Sequence, residues 1–323
     1  HGVLPVVAFA IGWLIAEGSS DKQIRDGILA LAAGFGTYAT LNMLVNIGNN
    51  RYRLIDFWTG TYRAATGSGA LNTLPIAVAP YAVKFEKRLL VKTMFLVLFF
   101  ATIQYMFMLG TRTQFAILLL IVILAALQFA YSEQGIAGVL KCIGIMAVIS
   151  LIAFLLYHFN VLSIRDYILS TNLAARYERR ASLENSDSFR FQSFWIGLRE
   201  LIQYPMGGRA SQIYRHNMWL DVGRVSGIIP FCLLLVYSIK NFANVTAIWK
   251  NTKILPSLRY LLLFLYIGAY VNCFVEPIWE GALNFFLALC VVDGMVSAMM
   301  RRLKNDPIPE ESVSDTVSYT HLT

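Results

Sequence analysis

Apolar residues in this chain occur in long uninterrupted runs that are separated by short polar segments. A helix needs about 20 apolar residues to cross a membrane, and most of these runs approach or reach that length. They do not alternate with a period of two, as the strands of a membrane β-barrel would. The pattern therefore predicts membrane-spanning helices. The clear runs are residues 27–47, 89–109, 114–131, 136–159, 225–239, 260–279 and 281–300.

Shorter apolar runs complete the prediction of an all-α, polytopic membrane helix bundle of about nine transmembrane helices. Residues 70–83 form a short span that Pro75 and Pro80 interrupt, and residues 3–16 are too few for a complete span. Because the chain begins with His1, directly before such an incomplete run, we expect it to be an N-terminally truncated member of its family.

The composition excludes a water-soluble globule. Hydrophobic residues make up 57% and charged residues 14% of the chain, whereas soluble domains carry about 25% charged residues. The net charge of +8 would suggest nucleic-acid binding in a soluble protein, but in a membrane protein it belongs to the two sides of the bilayer. We therefore expect membrane lipids, and no nucleic acid, as partners. The polar residues 305–323 are predicted to be a disordered tail, and their last part resembles translated adapter sequence more than native protein.

Lysine residues separate the two sides of the predicted bundle. All nine lysines fall in or near one set of loops, and because cytoplasmic loops are enriched in positive residues, this set is predicted to be cytoplasmic. The predicted divisions are transmembrane helices at 1–157 with outer loops at 48–67 and 110–113, an extracytoplasmic segment at 158–217, and transmembrane helices at 218–304.

The outer side carries arginine and no lysine. Arginine binds phosphate through a planar fork that keeps its charge, so this segregation indicates an anionic ligand on the outer side. Anchoring to lipid phosphates is the alternative explanation for most of these residues. The outer arginines are Arg51, Arg53, Arg63, Arg112, Arg165, Arg176, Arg179, Arg180, Arg190, Arg199, Arg209, Arg215 and Arg224.

The outer segment contains a predicted amphipathic helix, and a histidine follows it. Residues 188–204 place aromatic and aliphatic side chains on one face, with Arg190 in the first turn and Arg199 on the solvated side. His216 precedes the next apolar run. It could exchange protons near neutral pH, although a lone histidine more commonly has a structural role. Asn217 could orient the imidazole or a sugar hydroxyl, or it could cap the next helix.

Motifs of several enzyme classes do not occur in the sequence. It has no serine-hydrolase elbow, no zinc-protease motif, no phosphate-binding loop of ATPases and no paired carboxylates of metal-dependent sugar transferases. The four cysteines lie within apolar runs and lack metal-ligand spacing. We therefore expect a site without metal or cofactor.

Several short motifs of the outer side belong together. They are Arg190-Phe-Gln-Ser-Phe-Trp195, Tyr204-Pro205-Met-Gly207-Gly208, His216-Asn217 leading into a helix with Gly223, the turn Gly110-Thr111-Arg112-Thr113, and Asp56-Phe-Trp58-Thr-Gly60. In this order and context they resemble the signature region, the outer arginine turn and an outer loop of the O-antigen ligase and O-antigen polymerase superfamily.

The resemblance implies an integral-membrane glycosyltransferase of the GT-C type. Such enzymes move a glycan from a polyprenyl-diphosphate-linked donor to a glycan or lipid-glycan acceptor. They act at the outer face of the bacterial cytoplasmic (inner) membrane, without a metal, and the single displacement inverts the anomeric carbon. Carried over by motif, Arg112 and Arg190 would hold the donor diphosphate, and His216 would be the general base. The substrate contacts implied beside them are Arg209, Arg215 and Asn217.

Two alternatives stay open at this point. A ligase and a polymerase differ in the acceptor pocket, which no motif reveals. A transporter or flippase of lipid-linked or other anionic substrates is the alternative from a different class, and it predicts ionisable residues buried within spans. Lys141 and Glu276 lie near span ends, from which they could reach the interface, and Asp293 could face the bundle.

Overall fold

The computed structural model describes residues 2–48, 54–63, 65–181 and 186–305. Its regular elements are helices and one short hairpin. In chain order they are α1 (Val3–Ala16), α2 (Asp21–Val45), β1 (Leu54–Ile55), β2 (Tyr62–Arg63), α3 (Ala65–Leu71), α4 (Thr73–Lys84), α5 (Leu89–Leu109), α6 (Arg112–His158), a 3-10 turn (Val161–Ser163), α7 (Ile164–Ser170), α8 (Asn172–Ala181), α9 (Ser186–Gln203), α10 (Met218–Ser226), α11 (Ile228–Lys250), α12 (Pro256–Val275), α13 (Ile278–Gly281) and α14 (Leu283–Asn305). The predicted tail at 305–323 lies outside the described residues from position 306 onward.

Within this part of the chain, six helices are long and apolar enough to cross a membrane, namely α2, α5, α6, α11, α12 and α14. This confirms the predicted class, an all-α bundle of membrane helices. The predicted number of nine spans is not confirmed. Helix α1 has 14 residues and α4 has 12, fewer than the roughly 17 that a span requires, and two predicted spans fall within α6.

A sharp break at Gly135 divides α6 into two arms that match the predicted spans 114–131 and 136–159. Gly135 has φ 59° and ψ −143°, a conformation that is open almost only to glycine. A Cβ atom on Gly138 would lie 2.3 Å from the carbonyl oxygen of Ala130, so the chain folds back on itself at the break. Side chains of the first arm pack into the bundle, whereas those beyond Gly138 are exposed or half-buried.

The core of the bundle is centred on α4, which is buried over most of its length. All residues from Thr73 to Ala82 are buried, and the helix packs against α2, α5, α6 and α12. Small side chains suit this position because they let neighbouring helices approach closely. Pro75 lies in the first turn, where its missing N–H leaves no intrahelical bond unmade. The predicted run 70–83 is divided between α3 and α4 at Asn72.

A buried carboxyl group, Asp293, joins three of the long helices. Asp293 lies midway along α14 and is 1% exposed. The hydroxyl of Tyr237 in α11 donates to one of its oxygens over 2.7 Å, and the hydroxyl of Tyr266 in α12 donates to the other. The prediction that Asp293 faces the bundle is confirmed, and its hydrogen bonds satisfy a group that would otherwise be costly to bury.

Contacts between helix ends gather the lysine-bearing ends on one side, which we call the lysine end. Arg302 at the end of α14 contacts the carboxylate of Asp21 at the start of α2 over 3.0 Å. Lys84 at the end of α4 contacts Glu133 beside the break in α6. The opposite side, where α2, α5 and α12 end and α6 begins, is called the site end. The lysines at the lysine end are Lys22, Lys84, Lys87, Lys92, Lys250, Lys253 and Lys304.

The hairpin β1–β2 lies at the site end, within the loop predicted at 48–67. Its strands pair antiparallel, and Leu54 packs in a small cluster with Leu109, the last residue of α5. The buried carboxylate of Asp56 accepts the backbone N–H groups of Trp58 over 3.0 Å and Thr59 over 2.8 Å. These contacts fix the turn against the end of α5.

Candidate functional site

The turn that carries Arg112 joins α5 to α6 at the site end. Gly110 ends α5 in the left-handed conformation, with φ 67°, and α6 begins at Arg112. From α8, the guanidinium of Arg176 donates to the carbonyl oxygen of Gly110 over 2.8 Å, which braces the turn. The ring centre of Tyr177, also in α8, lies 5.9 Å from the guanidinium carbon of Arg112. The half-buried side chain of Arg112, at the start of α6, therefore lies beside α8.

Polar side chains connect the first turn of α6 to the end of α12. The buried amide of Gln114 donates to the side-chain oxygen of Asn272 over 3.1 Å, and Asn272 in turn donates to the hydroxyl of Thr73 over 2.8 Å. Next to this chain of bonds, the hydroxyl of Thr113 donates to the carboxyl group of Glu276. The start of α6 is thus fixed to both α4 and α12.

Glu276 follows the last residue of α12 and is only 4% exposed. The expectation that it reaches the interface was wrong, because its carboxyl group turns inward to Thr113. A carboxyl group near a span end can point either way, and the sequence spacing does not distinguish the two directions. Lys141, in contrast, is exposed.

His216 has an uncommon backbone conformation that its neighbour holds in place. Its φ is 54°, in the left-handed region that residues other than glycine rarely adopt. Asn217 begins the next helix, where its side-chain oxygen accepts the N–H of Leu220 over 3.1 Å. Its amide donates to the carbonyl oxygen of Phe274 over 3.1 Å. The half-buried imidazole meets the ring of Tyr214 edge-on, with 4.7 Å between ring centres.

The turn at residues 110–113, called the Arg112 turn, and the segment 214–217, called the His216 turn, therefore contact the same end of α12. Thr113, next to Arg112, contacts Glu276, and Asn217, next to His216, contacts Phe274 two residues earlier. This convergence anchors the chain neighbours of two predicted site residues, far apart in the sequence, at one helix end. It also shows that Asn217 is a helix cap, one of the two roles that the sequence left open.

Two of the predicted substrate contacts share one carboxylate. Arg215 donates from Nε to Oε2 of Glu200 over 3.1 Å and from Nη2 to Oε1 over 2.7 Å, a two-pronged pair. Arg209 places its Nη2 3.2 Å from the same Oε1, and its guanidinium carbon lies 4.1 Å from the ring centre of Tyr204. Glu200 was not identified from the sequence, because no helical spacing relates it to either arginine.

Arg224 and Asp221 shape the loop that leads to His216. The buried guanidinium of Arg224 donates to the carbonyl oxygens of Arg209 over 2.5 Å and Gln212 over 2.8 Å, and it pairs with Glu280. The carboxylate of Asp221 accepts the backbone N–H of Arg215 over 2.6 Å. Burial raises the pKa of Asp221, and this N–H and the Arg224 charge offset part of the increase.

The predicted amphipathic helix 188–204 is present as α9, and its buried face overlaps the predicted apolar face only in part. Ser193, Gly197 and Leu201 are buried against the bundle, and a Cβ on Gly197 would lie 3.0 Å from the side chain of Leu220. On the predicted apolar face, Phe194 packs against Phe274 of the bundle, whereas Trp195 is 54% exposed, so this face points only partly away from the bundle. This matches a helix whose outer face lies in the membrane interface.

The remaining predicted site residue, Arg190, belongs to the first turns of α9, and its side chain lies outside the described residues. Arg199 is exposed, as expected for the solvated side.

Among the described residues, no group of three or more His, Cys, Asp or Glu side chains is arranged to hold a metal ion. No protein-family model matches the chain, and no curated protein matches it significantly.

Proposed function

We propose that this protein transfers or polymerises a surface glycan from a polyprenyl-diphosphate-linked donor at the outer face of the bacterial cytoplasmic membrane. The observation that supports the proposal most strongly is the convergence of the Arg112 turn and the His216 turn on the last turn of α12. The convergence lies at the end of the bundle opposite the lysine end, and this agrees with a lysine-rich cytoplasmic side.

In the proposed reaction Arg112 binds the diphosphate of the donor. A guanidinium contacts two phosphate oxygens at once, and a cation fixed before the reaction stabilises the negative charge that grows on the leaving diphosphate. The brace from Arg176 to Gly110 serves this role because it holds the turn at a defined position. Arg190, at the start of α9, is the proposed second diphosphate contact.

His216 is the proposed general base. It accepts the proton of an acceptor hydroxyl while the hydroxyl oxygen attacks the anomeric carbon of the donor sugar. The bond from that carbon to the diphosphate oxygen breaks, and its electron pair leaves with the diphosphate. One displacement inverts the configuration of the carbon. The hydrogen bonds of Asn217 fix the backbone next to His216, and the imidazole packs edge-on against Tyr214, which supports the defined position that general-base catalysis requires.

The other predicted substrate contacts have narrower roles in this proposal. Glu200 already neutralises part of the charge of Arg209 and Arg215, so an anionic substrate would share them with this carboxylate. Asn217 is buried and uses its amide and its oxygen on the backbone, so we propose that it orients the His216 turn instead of contacting the substrate.

The alternative of a transporter or flippase receives less support from the interior of the bundle. Asp293, the midspan carboxyl group, has both oxygens engaged by tyrosine hydroxyls. This arrangement resembles a structural junction between helices more than a binding site for a moving ion.

A transfer assay with purified protein tests the proposal. The protein is mixed with a synthetic polyprenyl-diphosphate oligosaccharide and either a lipid-glycan acceptor or a second donor molecule. A single addition to the lipid-glycan indicates a ligase, and a ladder of lipid-linked products indicates a polymerase. If the donor stays chemically unchanged but moves between the leaflets of a vesicle, the flippase alternative replaces the proposal.

A further inference from the structure

The carboxyl group of Glu276 has no role in the mechanism proposed above, yet it lies against the first turn of α6. It is 4% exposed, and it accepts the hydroxyl of Thr113, the residue that follows Arg112. The backbone carbonyl of Glu276 accepts the N–H of Ile278 over 2.9 Å. The side chain of Glu276 is therefore fixed by Thr113, and its backbone is fixed by the turn to Ile278.

Joining α6 to α12 does not require a carboxyl group at this position. The neighbouring amides of Gln114 and Asn272 already fasten the two helices without a charge. A carboxyl group shielded from water costs more free energy to bury than an amide does. A role for the charge of Glu276, and not only for its hydrogen bond, accounts for a carboxyl group against Thr113 in the first turn of α6.

We infer that Glu276 is a positioning residue for Arg112. Its carboxylate holds the first turn of α6 through Thr113 and provides a negative charge beside the N-terminus of that helix, where such a charge is favourable. The guanidinium of Arg112 is thereby kept in the orientation in which it meets the donor diphosphate. The inference rests on the proposed function, because it assumes that Arg112 binds the donor.

Glu276→Gln is the informative variant, because glutamine keeps an acceptor for Thr113 and removes the charge. We expect the KM for the lipid-diphosphate donor to rise by about 10-fold to 100-fold, the effect of a small misplacement of a binding group. The kcat should also fall, because Arg112 stabilises the charge that grows on the leaving diphosphate, whereas the acceptor KM and the Tm should change little. Equal losses in kcat, in both KM values and in Tm would show a purely structural role and overturn the inference.

A second readout does not depend on transfer activity. Phenylglyoxal modifies arginine more slowly when a nearby carboxylate stabilises its charged form, and mass spectrometry locates the modified residue. We expect Arg112 to react several-fold faster in Glu276→Gln than in the wild type, with Arg165 as an internal reference. An unchanged rate at Arg112 overturns the inference even if the protein proves inactive.

Glu86→Gln is the matched control. Glu86 is also a buried carboxyl group, with 8% exposure, but it lies between α4 and α5 at the lysine end, where it pairs with Arg88. The same chemical change there should leave both the Arg112 modification rate and the donor KM unchanged. If wild-type protein transfers no glycan while Arg112 still reacts faster in Glu276→Gln, the proposed function fails and the positioning role stands.

Discussion

The side-chain amide of Asn217 donates a hydrogen bond to the main-chain carbonyl of Phe274 over 3.1 Å. Asn217 also caps α10, so one side chain fixes the residue after His216 to both the next helix and the end of α12. We expect Asn217→Ala to lower stability by about 0.5–2 kcal/mol, as the loss of an N-cap does, and to lower turnover as well.

Asn217→Ser separates the two contacts without burying a charge, because serine also caps a helix but has no amide to donate to Phe274. This variant should keep its Tm and still lose turnover, measured by thermal unfolding and by the transfer assay. If turnover follows Tm in both variants, Asn217 is only a cap.

His216 combines a proposed catalytic group with a backbone conformation that suits glycine or asparagine. His216→Gly and His216→Asn should therefore fold at least as stably as the wild type. Their turnover should fall by about 10²-fold to 10⁴-fold, as loss of a positioned base does, and donor binding should be retained. Near-normal turnover in the glycine variant would assign His216 a structural role.

The arginine contacts to diphosphate depend on geometry and not on charge alone. Arg112→Lys and Arg190→Lys should each reduce transfer severely, because an ammonium group cannot replace a two-pronged contact. Arg199→Lys, at an exposed position, is the control and should be almost silent. EDTA should have no effect, whereas inhibition by EDTA that magnesium reverses would show that a metal holds the diphosphate.

The orientation of the bundle in the membrane can be tested by cysteine labelling. In a background without native cysteines, Ser211→Cys near the site end should react with an impermeant thiol reagent in intact cells, and Thr252→Cys at the lysine end should not. Both positions are exposed in the structure. The reverse pattern would place the proposed site in the cytoplasm and remove the basis of the proposed function.

The raised pKa of Asp221 should make the stability of the folded protein depend on pH. Burial raises its pKa in the folded protein, so folding favours the protonated form. Its contribution is complete below the unfolded value of about 3.9, and it is lost as the pH rises through the raised folded pKa. Asp221→Asn keeps an acceptor for the Arg215 N–H and does not titrate.

The Tm of the wild type, measured relative to that of Asp221→Asn, should therefore fall as the pH rises from about 4. Asp166→Asn, at an exposed carboxylate beside Arg165, provides the comparison and should leave the profile unchanged. A constant difference in Tm between wild type and Asp221→Asn at all pH values would contradict this prediction.

The helices that the sequence predicted correctly are those with a long apolar run or a clear stop signal. Helices α2, α5, α12 and α14 follow such runs, and α9 ends at Gln203, two residues before Pro205. The sequence failed where a contact decides the outcome. The side chain of Glu276 turns inward to Thr113, and Ser193 and Gly197 of α9 lie buried against the bundle, two outcomes that the apolar runs did not indicate.

The candidate site was predicted in its individual residues but not in its connections. Motif order pointed to Arg112 and His216, whereas their common support at the end of α12 arises from contacts between distant segments. The same is true of Glu200, which pairs with Arg209 and Arg215. Partner choice among charged groups depends on tertiary geometry, and residue spacing carries no information about it.

The proposed glycan transfer is tested most directly by the stoichiometry of products formed by purified protein in detergent. The substrates are a labelled polyprenyl-diphosphate glycan and an acceptor. We predict one polyprenyl diphosphate released for each glycan transferred, inversion at the linking carbon, and loss of both products in Arg112→Lys and His216→Asn. An intact donor after incubation with folded wild-type protein and each class of acceptor would contradict it.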